Sequence, residues 1–141
     1  MICIIRIAGE VKMERTVVET LNRLRLRKKY SCIIMAKPGK EELGMLNKVK
    51  DFVAFGEIDI KTFQALLEKR AHSIDKSKKE KIDAKKIIEA FEKGKKFEEL
   101  NVKPFFRLHP PRGGINTKLP FPKGVLGNHK EKINELVMRM L

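Results

Sequence analysis

The chain opens on a dense apolar run, ICIIRIA at residues 2–8, interrupted only by Arg6. A run so rich in β-branched residues predicts a strand buried on both faces. The period then lengthens. Val17, Leu21 and Leu24 recur at i, i+4 and i+7 with Val18 beside them, which predicts a helix over 16–26. Thr16 and Glu19 have the spacing of a capping box and mark its start. YSCIIMA at 30–36 predicts a second strand, ended by Pro38-Gly39. Residues 40–50 form a second helical pattern with Leu43, Leu46 and Val49 on one side, weakened by Gly44. FVAFGE at 52–57 predicts a third, short strand.

The order βαβαβ over residues 1–57 implies a sheet with helices on one or both faces. Single helical crossovers favour parallel strands. The link RLRLRKK, however, is long enough to carry the chain back, so strand direction stays open. Residues 58–104 read as an added helical pair. Ile60, Phe63 and Leu67 make one stripe, and Ile87, Ile88 and Phe91 the other. Asp83 is placed to cap the second helix and Gly94 to close it. Between them, HSIDKSKKEKI at 72–82 reads as a solvated, Lys-rich loop. A last helix spans 129–141, with a stripe of Ile133, Leu136, Val137 and Met140 and a cap at Asn128 with Glu131 three residues on.

One segment has no periodicity. FFRLHPPRGGINTKLPFPKG at 105–124 holds Pro110, Pro111, Pro120 and Pro122 together with Gly113, Gly114 and Gly124. Such a segment cannot bury a core of its own and reads as an extended arm that orders on a partner. Phe105 and Phe106 are placed to tie it to the core. With the terminal helix it makes a third stretch, 105–141, on one structural domain.

Charge identifies the partner class. The chain has 141 residues, 32 Lys and Arg against 18 Asp and Glu, and a formal net charge of +14. That excess repels itself and points to a polyanion. It is steepest after residue 100, where the only acidic residues are Glu131 and Glu135. An extended basic arm suits folded RNA more than duplex DNA, and no recognition-helix or basic-zipper pattern supports a DNA binder. Two basic clusters are the candidate sites. Arg23, Arg25, Arg27, Lys28 and Lys29 follow the first helix, and in a strand-like LRLRK alternate basic groups share one face. Arg107, His109, Arg112, Lys118, Lys123 and Lys130 lie along the arm. Arg grips phosphate in a bidentate way or stacks on an unpaired base. Gly113 and Gly114 allow close backbone approach to a partner.

Enzyme chemistry finds no support. His72, His109 and His129 lack metal-ligand spacing, and Cys3 and Cys32 lie far from them in sequence. RGGIN lacks the Lys-Ser/Thr end of a phosphate-binding loop. No cofactor, metal or small-molecule substrate is implied. The N-terminus is too short and lacks the basic region of a signal peptide, and no run approaches membrane-spanning length. Both cysteines sit in apolar runs, which fits a reducing cytoplasm with two inert, buried thiols.

The strings IIRIAG, VVETLNRLRLRKKYSCII and FFRLHPPRGG resemble the large-subunit ribosomal protein thirty family in its longer archaeal and eukaryotic form. The likeness covers essentially the whole chain, whereas the short bacterial form covers only residues 1–57 or so. It implies an α+β fold: a βαβαβ core with a three-stranded antiparallel sheet, packed helices, added helices and a basic C-terminal arm. It implies a structural constituent of the large subunit with no catalytic activity. Its partners are large-subunit ribosomal RNA, with the 5S RNA nearby, and neighbouring ribosomal proteins. It matches Arg107, His109, Arg112, Gly113 and Gly114 to the family's tail motif, and Arg25 to Lys29 to its first basic stretch. The competing class is an RNA-processing or regulatory RNA-binding protein outside the ribosome.

Overall fold

The computed structural model describes residues 1–77 and 82–141. Strand β1 (Ile2–Arg6) leads through helix α1 (Arg15–Arg23) to β2 (Ser31–Met35). Helix α2 (Lys40–Val49) and β3 (Val53–Glu57) complete the βαβαβ core. Helices α3 (Ile60–Arg70) and α4 (Ala84–Glu92) follow, then a 3-10 turn at Phe97–Leu100. Two short strands, β4 (Phe106–Arg107) and β5 (Gly127–Asn128), precede a 3-10 turn at Lys130–Lys132 and helix α5 (Ile133–Met140).

The sheet has the order β4-β2-β1-β3-β5. Its three central strands are antiparallel, as the family likeness implies. The direction left open by the crossovers is settled by the basic link. It returns the chain so that the Tyr30 N–H donates to the Arg6 carbonyl at 2.7 Å, at the end of β1. The strand count differs from three. β4 joins β2 antiparallel, and β5 joins β3 in parallel. Neither two-residue strand carries a periodic signal, and both exist because the tail is drawn onto the sheet edges.

Both faces of the sheet are buried, which explains why β1 and β2 are nearly continuous in apolar residues. Ile4, Ile33 and Val53 meet Val17, Leu21, Leu46 and Val49 of α1 and α2. Cys3, Ile5, Cys32, Ile34 and Ala54 face the other way, toward α3, α4, β4 and α5. That second cluster draws on residues from all three stretches of the chain. Phe63, Phe91, Phe97 and Phe106 form its aromatic centre, with Phe91 and Phe97 stacked at 4.5 Å and Phe97 edge-on to Phe106 at 5.9 Å. Phe106 thus anchors the tail, as its position foretold.

Several local expectations change. Helix α1 starts at Arg15 after Glu14, and no side-chain cap closes on Thr16. Thr16 lies within the first turn and its carbonyl accepts from the Thr20 hydroxyl at 2.8 Å. Leu43 and Ile60, each in the first turn of its helix, leave their stripes and are exposed. The buried face of α3 is Thr62, Phe63, Leu66 and Leu67. Asp83 precedes α4 without a side-chain hydrogen bond, while Gly94 (φ +88°) closes it as foreseen. Lys95 N–H then reaches the Ala90 carbonyl and Gly94 N–H that of Phe91, each at 3.0 Å. Asn128 accepts from the Lys130 N–H at 2.9 Å, so it organises the 3-10 turn ahead of α5. The solvated-loop expectation for 72–82 rests largely on residues 78–81, which lie outside the described residues. Its start is pinned, with Lys103 N–H donating to the His72 carbonyl at 2.8 Å.

Candidate nucleic-acid interface

The loop after α1 is not a strand. Arg25 (φ +63°) and Tyr30 (φ +65°) are both left-handed, a conformation that non-glycine residues hold only when their surroundings enforce it. The enforcing group is Arg6. Its side chain is almost fully buried at the end of β1. Its guanidinium donates to the Leu26 and Arg27 carbonyls, each at 2.8 Å, and to Ala8 at 3.0 Å. Burial pulls its pKa down, and the charge of Glu10 opposes that shift. Leu24 and Leu26 turn inward, while Arg25, Arg27, Lys28 and Lys29 stay exposed. The alternation expected of LRLRK therefore survives without a strand.

Pairing of Ser31 with Arg107 brings the tail beside this loop. Leu108 N–H donates to the Tyr30 carbonyl at 3.0 Å. The result is a cleft of about 390 Å³ lined by Arg25, Arg27, Lys28 and Arg107 around Ser31, Pro104 and Phe105. Three cations of the loop and a fourth, Arg107, 79 residues past Lys28, thus share one concave surface. Arg107 lies over the Phe105 ring at 5.7 Å, and Lys29 over that of Tyr30 at 5.0 Å. Phe105 packs partly into the core and partly into the cleft, so it both anchors and offers an aromatic face.

Not every basic residue is free. Arg23 pairs with Glu19 at 2.8 Å across one helical turn, and Arg25 pairs with Glu98. The pairing of Arg25 was invisible in sequence, because Glu98 arrives from the 3-10 turn after α4. Arg27, Lys28, Lys29 and Arg107 have no recorded acidic partner among the described residues.

The arm also departs from expectation. Residues 106–114 are folded back rather than loose, because α5 presents its last turn to them. His109 N–H donates to the Met140 carbonyl at 2.9 Å, and Arg112 N–H to that of Arg139 at 3.0 Å. The Arg139 guanidinium returns bonds to the Arg112 carbonyl at 3.0 Å and the Gly114 carbonyl at 2.7 Å. Gly113 (φ +83°) and Gly114 (φ +75°) supply the left-handed turn that aims those carbonyls at Arg139. Their role is internal, while the Arg112 and His109 side chains remain exposed.

Lys118, Lys123 and Lys130 do not join the cleft. Lys118 and Lys123 ride an exposed loop closed by Phe121 N–H to the Leu126 carbonyl at 2.7 Å. Lys130 follows β5, which lies at the opposite edge of the sheet from β4. His129 locks that end. It is buried, stacks on Phe121 at 4.6 Å, and its Nε2 sits 2.6 Å from the Val125 carbonyl. Desolvation holds its pKa below the usual imidazole value, partly offset by the hydrogen bond to Val125.

Sequence reasoning overlooked Arg6, Arg139 and Gly56. The first leaves a signal, a lone charge within a buried strand. A Cβ on Gly56 would meet the Lys130 carbonyl oxygen and lie 2.9 Å from Ile133 Cβ, so glycine is what lets α5 close on β3. No His, Cys, Asp and Glu grouping able to hold a metal exists among the described residues. No helix there is long and apolar enough to cross a membrane.

A model of the family described as ribosomal protein L30p/L7e matches residues 2–53, from β1 into β3. Curated relatives extend the match to the tail. The chain is 40% identical to "Large ribosomal subunit protein uL30" of Archaeoglobus fulgidus, over 99% of both chains. It is 43% identical to the protein of the same name from Desulfurococcus amylolyticus, over 98% of this chain and 96% of that one. The protein of that name from Nanoarchaeum equitans is 38% identical, over 98% and 97%. The chain belongs to the uL30 ribosomal protein family. The longer form named from FFRLHPPRGG is thus the right one, since these uL30 proteins match through the added helices and the tail. In this chain the basic loop and β4 lie on either side of α3 and α4 in sequence, and the fold rejoins them.

Proposed function

We propose that this uL30 protein is a structural, non-catalytic constituent of the large ribosomal subunit that grips ribosomal RNA with the cleft between the 25–29 loop and β4. The observation that carries the reading is the convergence of Arg25, Arg27, Lys28 and Arg107 on one surface, held from behind by buried Arg6. Phosphates suit a site with several exposed cations and rigid backing. The Arg112–Gly114 turn and the basic 118–130 end act as further contacts, spread along the molecule. The family likeness extends this reading to a place near the 5S RNA, among neighbouring ribosomal proteins, in the cytoplasm.

Two measurements test it. In filter binding to large-subunit ribosomal RNA, neutralising about six phosphates gives log K against log salt a slope on the order of −4 to −5. Arg27→Ala and Arg107→Ala should each lower affinity and reduce that slope by about one. A slope near zero, or unchanged affinity in both variants, overturns the cleft as the anchor. Co-sedimentation with the large subunit at moderate salt separates the ribosomal role from an RNA-binding role elsewhere.

A further inference from the structure

The outer edge of β2 is only partly covered. β4 pairs with Ser31 and Cys32, and the ladder stops there. Two residues before Phe106 stands Pro104, which has no N–H to continue the ladder. Beyond that point a slot of about 630 Å³ opens over Ile33, Ile34, Met35 and Ala36. Its walls come from opposite faces of the sheet. Leu24 and Met45 line one side, from the layer of α1 and α2, and Phe91 and Phe97 line the other, from α4 and the turn after it.

We propose that this slot receives an extended, acid-flanked polypeptide segment of a neighbouring protein as an additional strand on β2. A strand laid along this edge sends alternate side chains to the two apolar walls, as its period of two requires. The edge offers N–H donors and C=O acceptors in alternation, which another polypeptide backbone matches. A sugar–phosphate backbone presents mainly acceptors, so it leaves the edge carbonyls unmet and the apolar walls uncovered. Charge selects the flanks. Lys37, Lys93, Lys95 and Lys96 are exposed around the mouth. Of the three acids there, Glu98 is taken by Arg25 and Glu42 accepts from the Gly39 N–H at 2.9 Å, so exposed Glu92 alone stands without a recorded partner among the described residues against the four lysines. The slot adjoins the basic cleft at Arg25 and Pro104 but has different walls, so the inference stands or falls apart from the RNA reading.

The test uses the full chain and a fluorescein-labelled nonapeptide with a five-residue core of Val and Ile, apolar on both faces, flanked by Asp-Glu pairs. A second nonapeptide carries Lys in the flanks, and oligouridine is the third probe. Anisotropy reports binding, amide NMR reports its place, and sedimentation reports self-association. The acidic peptide should bind saturably and shift the amides of Ile33–Ala36. The Lys-flanked peptide should bind roughly tenfold more weakly, and Lys95→Glu with Lys96→Glu should reverse that order. These lysines are exposed, so the fold tolerates the change. Oligouridine should shift Arg107 and leave Ile33–Ala36 unmoved. Absence of peptide binding overturns the proposal. So does displacement of the peptide by oligouridine at the same amides, which assigns the slot to RNA. Self-association through those amides assigns it to a second copy and likewise overturns it.

Discussion

Arg139 and Arg112 hold each other by exchange: the Arg112 N–H donates to the Arg139 carbonyl, and the Arg139 guanidinium donates back to the Arg112 carbonyl, both at 3.0 Å. The arm is therefore fastened by the backbone of Arg112 and the side chain of Arg139. The Arg112 side chain stays exposed.

This division of labour separates two variants. Arg112→Ala removes a group proposed to pair with phosphate and should lower RNA affinity by about 1.5–3 kcal/mol with the thermal midpoint unchanged. Arg112→Lys should recover only part of it, since charge returns without bidentate geometry. Arg139→Ala should lower stability by about 1 kcal/mol and speed amide exchange at Arg112 and Gly114. Equal loss of midpoint in Arg112→Ala would assign its side chain to the fold.

On the proposed reading, Arg6 contributes to RNA binding only through the loop it holds. Arg6→Met keeps an apolar stem but leaves the Leu26 and Arg27 carbonyls without their donor. Stability should fall on the order of 2–4 kcal/mol, and RNA affinity should fall with it. Arg6→Lys should not rescue affinity, because a single ammonium cannot span carbonyls served by a planar fork. Urea denaturation with filter binding checks both. Full affinity in folded Arg6→Met would show that the loop keeps its shape unaided.

His129 gives stability a pH dependence. Its folded pKa lies below the ordinary imidazole value near 6.5, with burial as the main cause and the Val125 hydrogen bond opposing it. The unfolded chain thus takes up a proton first as pH falls. The contribution is fully present above about pH 6.5 and is lost as pH drops toward the folded pKa. His129→Gln should flatten this part of the stability curve, measured by denaturation between pH 5 and pH 8. An unchanged slope would place the dependence on other groups.

The terminal helix is closed onto β3 at a glycine. Leu136→Ala empties a buried site and should cost roughly 2–4 kcal/mol. Gly56→Ala should cost about 1–3 kcal/mol by forcing the Lys130 carbonyl and Ile133 away. Both should loosen the Arg112 turn, since α5 carries Arg139. An unchanged denaturation midpoint in either variant would mean that α5 is not docked in solution.

Cys3 and Cys32 are fully buried on adjacent strands, with sulfurs 3.3 Å apart as free thiols. Their contact and then burial push the Cys32 thiol well up, so neither should react quickly. Native-state labelling should proceed only through unfolding, and rapid modification of both would contradict the packing.

The sequence by itself determined the helices and central strands, because burial on a periodic element writes itself into the order of residues. The stripes of Val17, Leu21 and Leu24 and of Ile133, Leu136, Val137 and Met140 are examples, each legible from spacing alone. It also carried the basic balance, the buried cysteines and the RLHPPRGG string that marks the family. Tertiary structure decided what depends on long-range meeting. Arg25 met Glu98, Arg107 met the 25–29 loop, and Arg139 met the arm, each across a sequence distance that no local pattern encodes. The two edge strands exist only because Phe106 and His129 seat the tail at opposite sides of the sheet. Glycine roles followed the same rule: Gly94 was readable from its helix, whereas Gly56 took its meaning from an α5 packed 77 residues further on, at Ile133. Local propensity chooses elements, while the placement of a charge or a close contact is set by whichever distant segment the folded core brings beside it.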